Sequence, residues 1–227
     1  MAKEHFSIAV DGPSGAGKST LAKALARELN IIYVDTGAIY RTIGLEVFRR
    51  GLDPKNEAEV SAILPELSIR MEYEDDGLQH MFLNGEDVTA DIRLPSISLY
   101  ASDVSALPAV RAFLLEMQRE LARRNCVIMD GRDIGTVILP DAEVKIFLTA
   151  SAQARSKRRF IELREKGEDV TLEEVLADMK QRDHDDETRA AAPLKQAEDA
   201  ILVDTSELTL EQSIAAVEAV IRPALEG

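Results

Sequence analysis

Cysteine is almost missing from this chain of 227 residues: Cys126 is the only one. A single thiol excludes a disulfide framework and every metal site built from several cysteines. Cys126 opens the apolar run Cys126-Val127-Ile128-Met129, which predicts an inert, buried thiol. Basic residues are in deficit, with 27 Lys and Arg against 41 Asp and Glu and a formal net charge of −14. So acidic a chain repels a polyanion, which argues against a nucleic-acid partner. No apolar stretch approaches the ~18 residues that span a bilayer, so no membrane partner is expected. Met1-Ala2-Lys3-Glu4-His5 lacks the apolar segment of a secretion signal. These absences predict a soluble cytoplasmic protein. What is present suffices for a substantial core: 45% of the residues are hydrophobic. The length fits one large domain, or one core with an insert.

Five short apolar runs read as strands: Phe6 to Val10, Ile31 to Val34, Val127 to Met129, Val144 to Leu148 and Ala200 to Val203. Nearly continuous apolar strands separated by helical patterns predict a parallel sheet covered on both faces. Leu21, Leu25 and Leu29, with Ala22 and Ala26, line one helix face. Ala109 to Arg124 carries Val110, Phe113, Leu114, Met117 and Leu121 at helical spacing. Thr171 with Glu174, and Thr209 with Gln212, each read as a capping box opening a helix. From Ile69 the pattern alternates. Ile69, Met71 and Tyr73 share one face, and Asp76-Gly77 and Asn84-Gly85 are hairpin signals. Residues 66–93 are expected to form a small antiparallel sheet inserted in an α/β core of 1–65 and 94–227, placed on the substrate side.

After the first strand stands Gly12-Pro13-Ser14-Gly15-Ala16-Gly17-Lys18-Ser19-Thr20. It fits G-x-x-x-x-G-K-[ST] between a strand and a helix. The glycines let the backbone wrap a phosphate with its N–H groups turned inward. The helix that follows adds its positive end. Lys18 supplies charge to the transferring phosphate, and the Ser19 hydroxyl is placed to bind Mg²⁺. Nucleoside triphosphate binding follows. A GTP-dependent switch, a nucleic-acid motor and a small-molecule kinase could each use such a cradle. No Asn-Lys-x-Asp element is present to read guanine, and no basic track suits a motor.

A kinase needs a second anion site. Asp35-Thr36-Gly37-Ala38-Ile39-Tyr40-Arg41 follows the second strand, with Thr36 or Asp35 as a helix cap and Arg41 beside free N–H groups. Asp130-Gly131-Arg132-Asp133 ends the third strand, on the edge where open α/β sheets bind ligands. Arg155, Lys157, Arg158, Arg159, Arg164 and Lys166 fall within twelve residues. Arg182 and Arg189 bracket an acidic run. Such arginines fit a flap that closes over the nucleotide and excludes water. A phosphate acceptor needs no general base, because its second pKa is about 6. A site rich in arginine, with His5, His80 and His184 in no shared motif, therefore suits a phosphate acceptor.

These segments resemble the bacterial cytidylate kinases. The likeness rests on Asp11 to Lys18, Asp35 to Arg41, Asp130 to Val137, Pro140 to Leu148, and Arg182 to Arg189 ahead of Ala190-Ala191-Ala192-Pro193. It implies a P-loop core with a five-stranded parallel sheet, an insert for the monophosphate and a short helical lid at about 151–190. It implies transfer of the γ-phosphate of ATP to CMP or dCMP with Mg²⁺, by a monomer. It places Arg155, Arg158 and Arg159 over ATP, and Thr36, Tyr40 and Arg41 at the acceptor. Arg41, Arg132 and Arg189 would hold the acceptor phosphate. Ser102, Arg111 and Asp133 would read the base, and Arg182 and Asp186 would face the sugar. Lys18, Arg132, Arg182 and Arg189 would carry the catalysis. Relatives often have Ser at the Thr36 position and Gly at the Ser19 position.

Overall fold

The computed structural model describes residues 5–73 and 79–226. Two compact units divide the chain: Met1–Tyr33 with Arg124–Gly227, and Val34–Arg123. The expected Asp76-Gly77 turn lies outside the described residues.

All five apolar runs become strands. They are β1 (Ser7–Asp11), β2 (Ile32–Asp35), β6 (Val127–Gly131), β7 (Val144–Thr149) and β8 (Ile201–Asp204). Their order is β2-β6-β1-β7-β8, and the sheet is parallel. Ile8, Val10, Ile128, Val144, Ile146 and Leu148 project into one core with Leu21, Ala22 and Leu25 of α1 (Lys18–Leu29) and Val217 and Ile221 of α8 (Leu210–Glu226). Ala9, Val127 and Met129 alternate to the opposite face and are equally buried. β8 departs from its sequence pattern: Ile201 and Leu202 are 50% and 55% exposed. As an edge strand it has a single neighbour. Cys126 is half-buried rather than buried, because it precedes β6 instead of opening it.

Both predicted capping boxes form. Thr171 and Glu174 bond reciprocally at the start of α7 (Leu172–Thr188), which packs on α6 (Ala152–Glu165). Thr209 and Gln212 do the same ahead of α8.

The second unit holds α2 (Thr36–Arg49), α3 (Glu57–Ile63), α4 (Pro95–Ser105) and α5 (Pro108–Arg124). It also holds an antiparallel sheet of β3 (Ile69–Tyr73), β4 (Gln79–Leu83) and β5 (Glu86–Asp87). Asn84 and Gly85 turn β4 into β5 with φ of 51° and 89°, the two left-handed residues that a tight hairpin needs. α2 crosses α4 closely at Gly44, where a Cβ would lie 2.9 Å from the Ala101 nitrogen. Phe48 and Tyr100 meet edge to face nearby.

The phosphate-binding motif curls between β1 and α1. Gly12 has φ of 148°, and a Cβ there would stand 1.9 Å from the Leu148 carbonyl oxygen. Gly12→Ala combines a disfavoured backbone with an overlap against the neighbouring strand. It should destabilise the protein by more than ~2 kcal/mol, read as a lower urea midpoint with an unchanged m-value.

Candidate active site

In the sheet order the chain leaves β1 toward β2 on one side, while β7 and β8 lie on the other. β1 is thus the point where the order reverses, and the loop after it is where such sheets take ligands. Gly15 and Gly17 both have positive φ, which turns successive N–H groups to one side of the curl. Pro13 and Ala16 are buried, Ser14 is half-buried, and Gly15 and Thr20 are exposed. Lys18 is buried, and its Nζ donates to the Pro13 carbonyl at 2.8 Å. Burial, and then the charge of Arg132, pull the Lys18 amine down to about 7 against the opposing pull of Asp130, Asp186 and Asp11. Phosphate oxygens entering the curl would raise it again.

Beside Lys18 the Ser19 hydroxyl donates to Asp130 Oδ2 at 2.7 Å, and the Tyr33 hydroxyl donates to Oδ1 at 2.9 Å. Hydroxyl and carboxylate are hard oxygen donors. One or two of them beside substrate phosphates are what Mg²⁺ requires, so this pair fits that ion.

The turn after β6 carries Arg132 and Asp133. Arg132 Nε donates to Asp186 Oδ2 at 2.6 Å. Arg189 lies 3.5 Å from Asp133 and 3.9 Å from Asp186, and its Nε donates to the Ala192 carbonyl. Burial would raise the Asp186 carboxyl, but Arg132, Arg189 and Arg182 hold it below the usual carboxylate range. The turn is pinned from β1. Asp11 accepts from the Ile134 and Gly135 N–H groups, both at 2.7 Å. Burial nonetheless lifts Asp11 to about 6.

The three arginines of α6 differ. Arg155 is 4% exposed. It is bidentate to Asp183 (2.9 and 2.6 Å) and also donates to the carbonyls of Ser14 and Ala150. Arg158 donates to the Thr205 carbonyl, and the Thr205 hydroxyl lies 3.5 Å from the Ala16 carbonyl. Arg159 is at the surface with Glu162.

In the second unit Asp35 caps α2: its Oδ1 accepts from Ala38 N–H at 2.9 Å. Asp35 Oδ2 accepts from Arg41 at 2.8 Å and lies 3.3 Å from Arg93. Arg41 Nε is buried and has no hydrogen-bond partner among the described residues. Thr36 and Tyr40 are buried on the same helix. Arg111 sits 5.5 Å above the Tyr40 ring and donates to the Ser105 carbonyl. Ser102 is half-buried on α4. The sequence reading did not single out Arg93, Asp183 or Gln79. Arg93 stands alone between Ile92 and Leu94, and Asp183 is hidden in an acidic run. Gln79 is the polar member of an apolar alternation.

The sequence profile of the cytidylate kinases matches residues 8–223. The chain belongs to the cytidylate kinase family. A cytidylate kinase of Caldicellulosiruptor bescii is 51% identical over 92% of each chain. One from Geobacter sulfurreducens is 45% identical over 95% of this chain and 92% of its own. Among solved structures, an uncharacterized protein from Eubacterium ventriosum shares the fold, with a TM-score of 0.56 at 15% identity over 97% of this chain and 99% of its own. The protein is therefore an ATP-dependent nucleoside monophosphate kinase that transfers the γ-phosphate of ATP to CMP or dCMP.

Two features of the kinase's first unit are open to measurement. Asp183→Ala leaves the buried Arg155 charge uncompensated and should cost about 3–5 kcal/mol in urea unfolding. Asp11 titrates at about 6 in the fold against an ordinary 3.8, so the folded state favours its protonated form. That contribution is full below pH ~4 and lost as the pH rises through ~6. Between those limits the wild type should lose up to about 3 kcal/mol relative to Asp11→Asn. Parallel stability curves would show that Asp11 does not titrate in this range.

Proposed function

We propose that the kinase binds the triphosphate of ATP on Gly12 to Thr20, with Lys18 on the transferring phosphate. Mg²⁺ would be held by Ser19, with Asp130 beside it, and would supply charge neutralisation on the phosphates. Arg155, Arg158 and Arg159 belong to the lid over ATP, at about 151–190; the core is 1–65 and 94–227, and 66–93 is the insert. CMP or dCMP is bound by Thr36, Tyr40, Arg41, Ser102, Arg111, Arg132, Asp133, Arg182, Asp186 and Arg189. Arg41, Arg132 and Arg189 take the acceptor phosphate, Ser102, Arg111 and Asp133 the cytosine, and Arg182 and Asp186 the sugar. The enzyme acts as a cytoplasmic monomer, without nucleic acid or membrane. Among the described residues no helix is long and apolar enough to cross a membrane.

The observation that carries this reading is the placing of Lys18, Arg132 and Asp186 within electrostatic reach of one another at the glycine loop. The acceptor is itself the nucleophile and is mostly dianionic at neutral pH. No proton need be removed by the protein. Its work is to bring two anions together against their repulsion, which Lys18 and the arginines screen. Cytosine offers an amine donor beside two acceptors, which a carboxylate or hydroxyl with an arginine complements.

ADP formation in a coupled assay should depend on added CMP; formation indifferent to CMP would favour a nucleotide switch and defeat the reading. Arg132→Ala should lower kcat by about 10²–10³-fold. A near-normal rate would remove Arg132 from the mechanism. Ser102→Ala should weaken discrimination against UMP more than it weakens ATP binding.

A further inference from the structure

Gln79 occupies a position where an amide is out of character. Along β4 the buried row reads Leu83, Met81, Gln79, and Gln79 is 6% exposed. A buried amide is tolerated only when its donor and acceptor are both used. Here both reach the main chain of one residue. The Gln79 amide oxygen accepts from the Asp35 N–H at 2.7 Å, and its nitrogen donates to the Asp35 carbonyl at 3.2 Å. A second contact, 3.1 Å to the Met81 sulfur, fixes the amide from the other side. The pair imitates two residues exchanging both bonds across an antiparallel ladder.

Asp35 is the last residue of β2 and the cap of α2, and its carboxylate divides between two tasks. Oδ1 holds the helix N-terminus, and Oδ2 holds Arg41 at 2.8 Å, with Arg93 on the same oxygen at 3.3 Å. The space is tight: a Cβ on Gly37 would lie 3.1 Å from both Asp35 Oδ1 and Arg41 Nη1. A small turn of the Asp35 backbone therefore passes directly to the guanidinium. Tyr73, opposite Gln79 in the register, faces the same group. Its hydroxyl is held above its ordinary value by burial and then by the charge of Asp35.

We propose that Gln79 is a positioning residue for the acceptor phosphate: by clamping the Asp35 main chain at both N–H and C=O, it sets the carboxylate that aims Arg41. The antiparallel sheet thereby acts on the reaction through one amide. This rests on Arg41 being a ligand of the acceptor phosphate. Displacing such a group by about 1 Å can cost ~100-fold in rate.

The test is a double-mutant cycle on the full-length enzyme with Gln79→Leu, Arg41→Ala and the pair, reading KM for CMP and for ATP. Gln79→Leu should raise KM for CMP about tenfold and leave KM for ATP within about twofold. In the Arg41→Ala background the same change should move KM for CMP by less than about twofold, because its effect runs through Arg41. Gln79→Asn, one methylene too short to reach both groups, should give the same split if the leucine variant does not fold. A rise in both KM values together, no rise for CMP, or an equal rise in both backgrounds overturns the proposal. An Arg41→Ala enzyme with an unchanged KM for CMP would overturn the reading of Arg41, and the role of Gln79 with it. A raised KM in Arg41→Ala beside a silent Gln79→Leu overturns the role of Gln79 alone.

Discussion

A guanidinium or ammonium group taken out of water must find a counter-charge or a full set of acceptors, and the chemistry of this kinase is organised around that requirement. Arg132 rests on Asp186, Arg189 on Asp133, and Arg41 on Asp35; Lys18 is turned onto the carbonyl of Pro13. Each pairing holds a cation in place. If Arg132, Arg189 and Arg41 take the acceptor phosphate as proposed, a phosphate dianion competes for these donors with more acceptor oxygens and more charge than one carboxylate. The strong acidity of the chain and its cationic site are therefore compatible: part of the carboxylate excess serves as internal counter-ions. Arg155 follows the same rule to a different end. Its donors are divided among Asp183, Ser14 and Ala150, so it braces the glycine loop against α6 and α7.

The sheet supplies the rigid base for these pairings. β1 lies between β6 and β7, and its last residue, Asp11, reaches across to the backbone of the turn that follows Arg132. The glycine loop and the arginine turn are thus tied to each other before any nucleotide is considered. Burying Asp11 raises its pKa and so works against the ionised form, while the two backbone N–H groups favour it. Positions of this kind are where folds hold local cost for the sake of a site.

Much of this was legible in the residues. Apolar runs marked every strand of the parallel sheet. Asn84-Gly85 marked a hairpin of the antiparallel sheet, and the strand-loop-helix setting of Gly12 to Thr20 marked the glycine loop. The partners of the arginines were not legible, because each is fixed by long-range packing. The acidic run from Asp183 to Glu187 offered several carboxylates, and sequence order does not choose among them. Helical phase does. Val175 and Met179 are the buried residues of α7, and Asp183 and Asp186 continue that face at steps of four and three. One face of α7 thus changes from apolar to anionic along its length, while Asp185 turns outward and is held by Gln181. The exposure of Ile201 and Leu202 was hidden for a related reason: an edge strand has the composition of a central one.

The end of α7 shows how local strain serves the same electrostatic requirement. Arg189 closes the helix with an extended backbone, so the chain leaves the helical path and folds back. Leu194 N–H returns to the Asp186 carbonyl at 2.7 Å. Between them Ala192 adopts φ of 48°, a conformation that costs a residue with a Cβ about 1–2 kcal/mol. The Ala192 carbonyl is the one that accepts from Arg189 Nε at 2.8 Å. A hydrogen bond to a charged donor contributes about 1.5–3 kcal/mol, enough to offset that strain. With Nε committed there, the Arg189 guanidinium directs its two terminal nitrogens toward Asp133 and Asp186. The strained alanine, Asp133 and Asp186 therefore define one orientation of the Arg189 guanidinium between them.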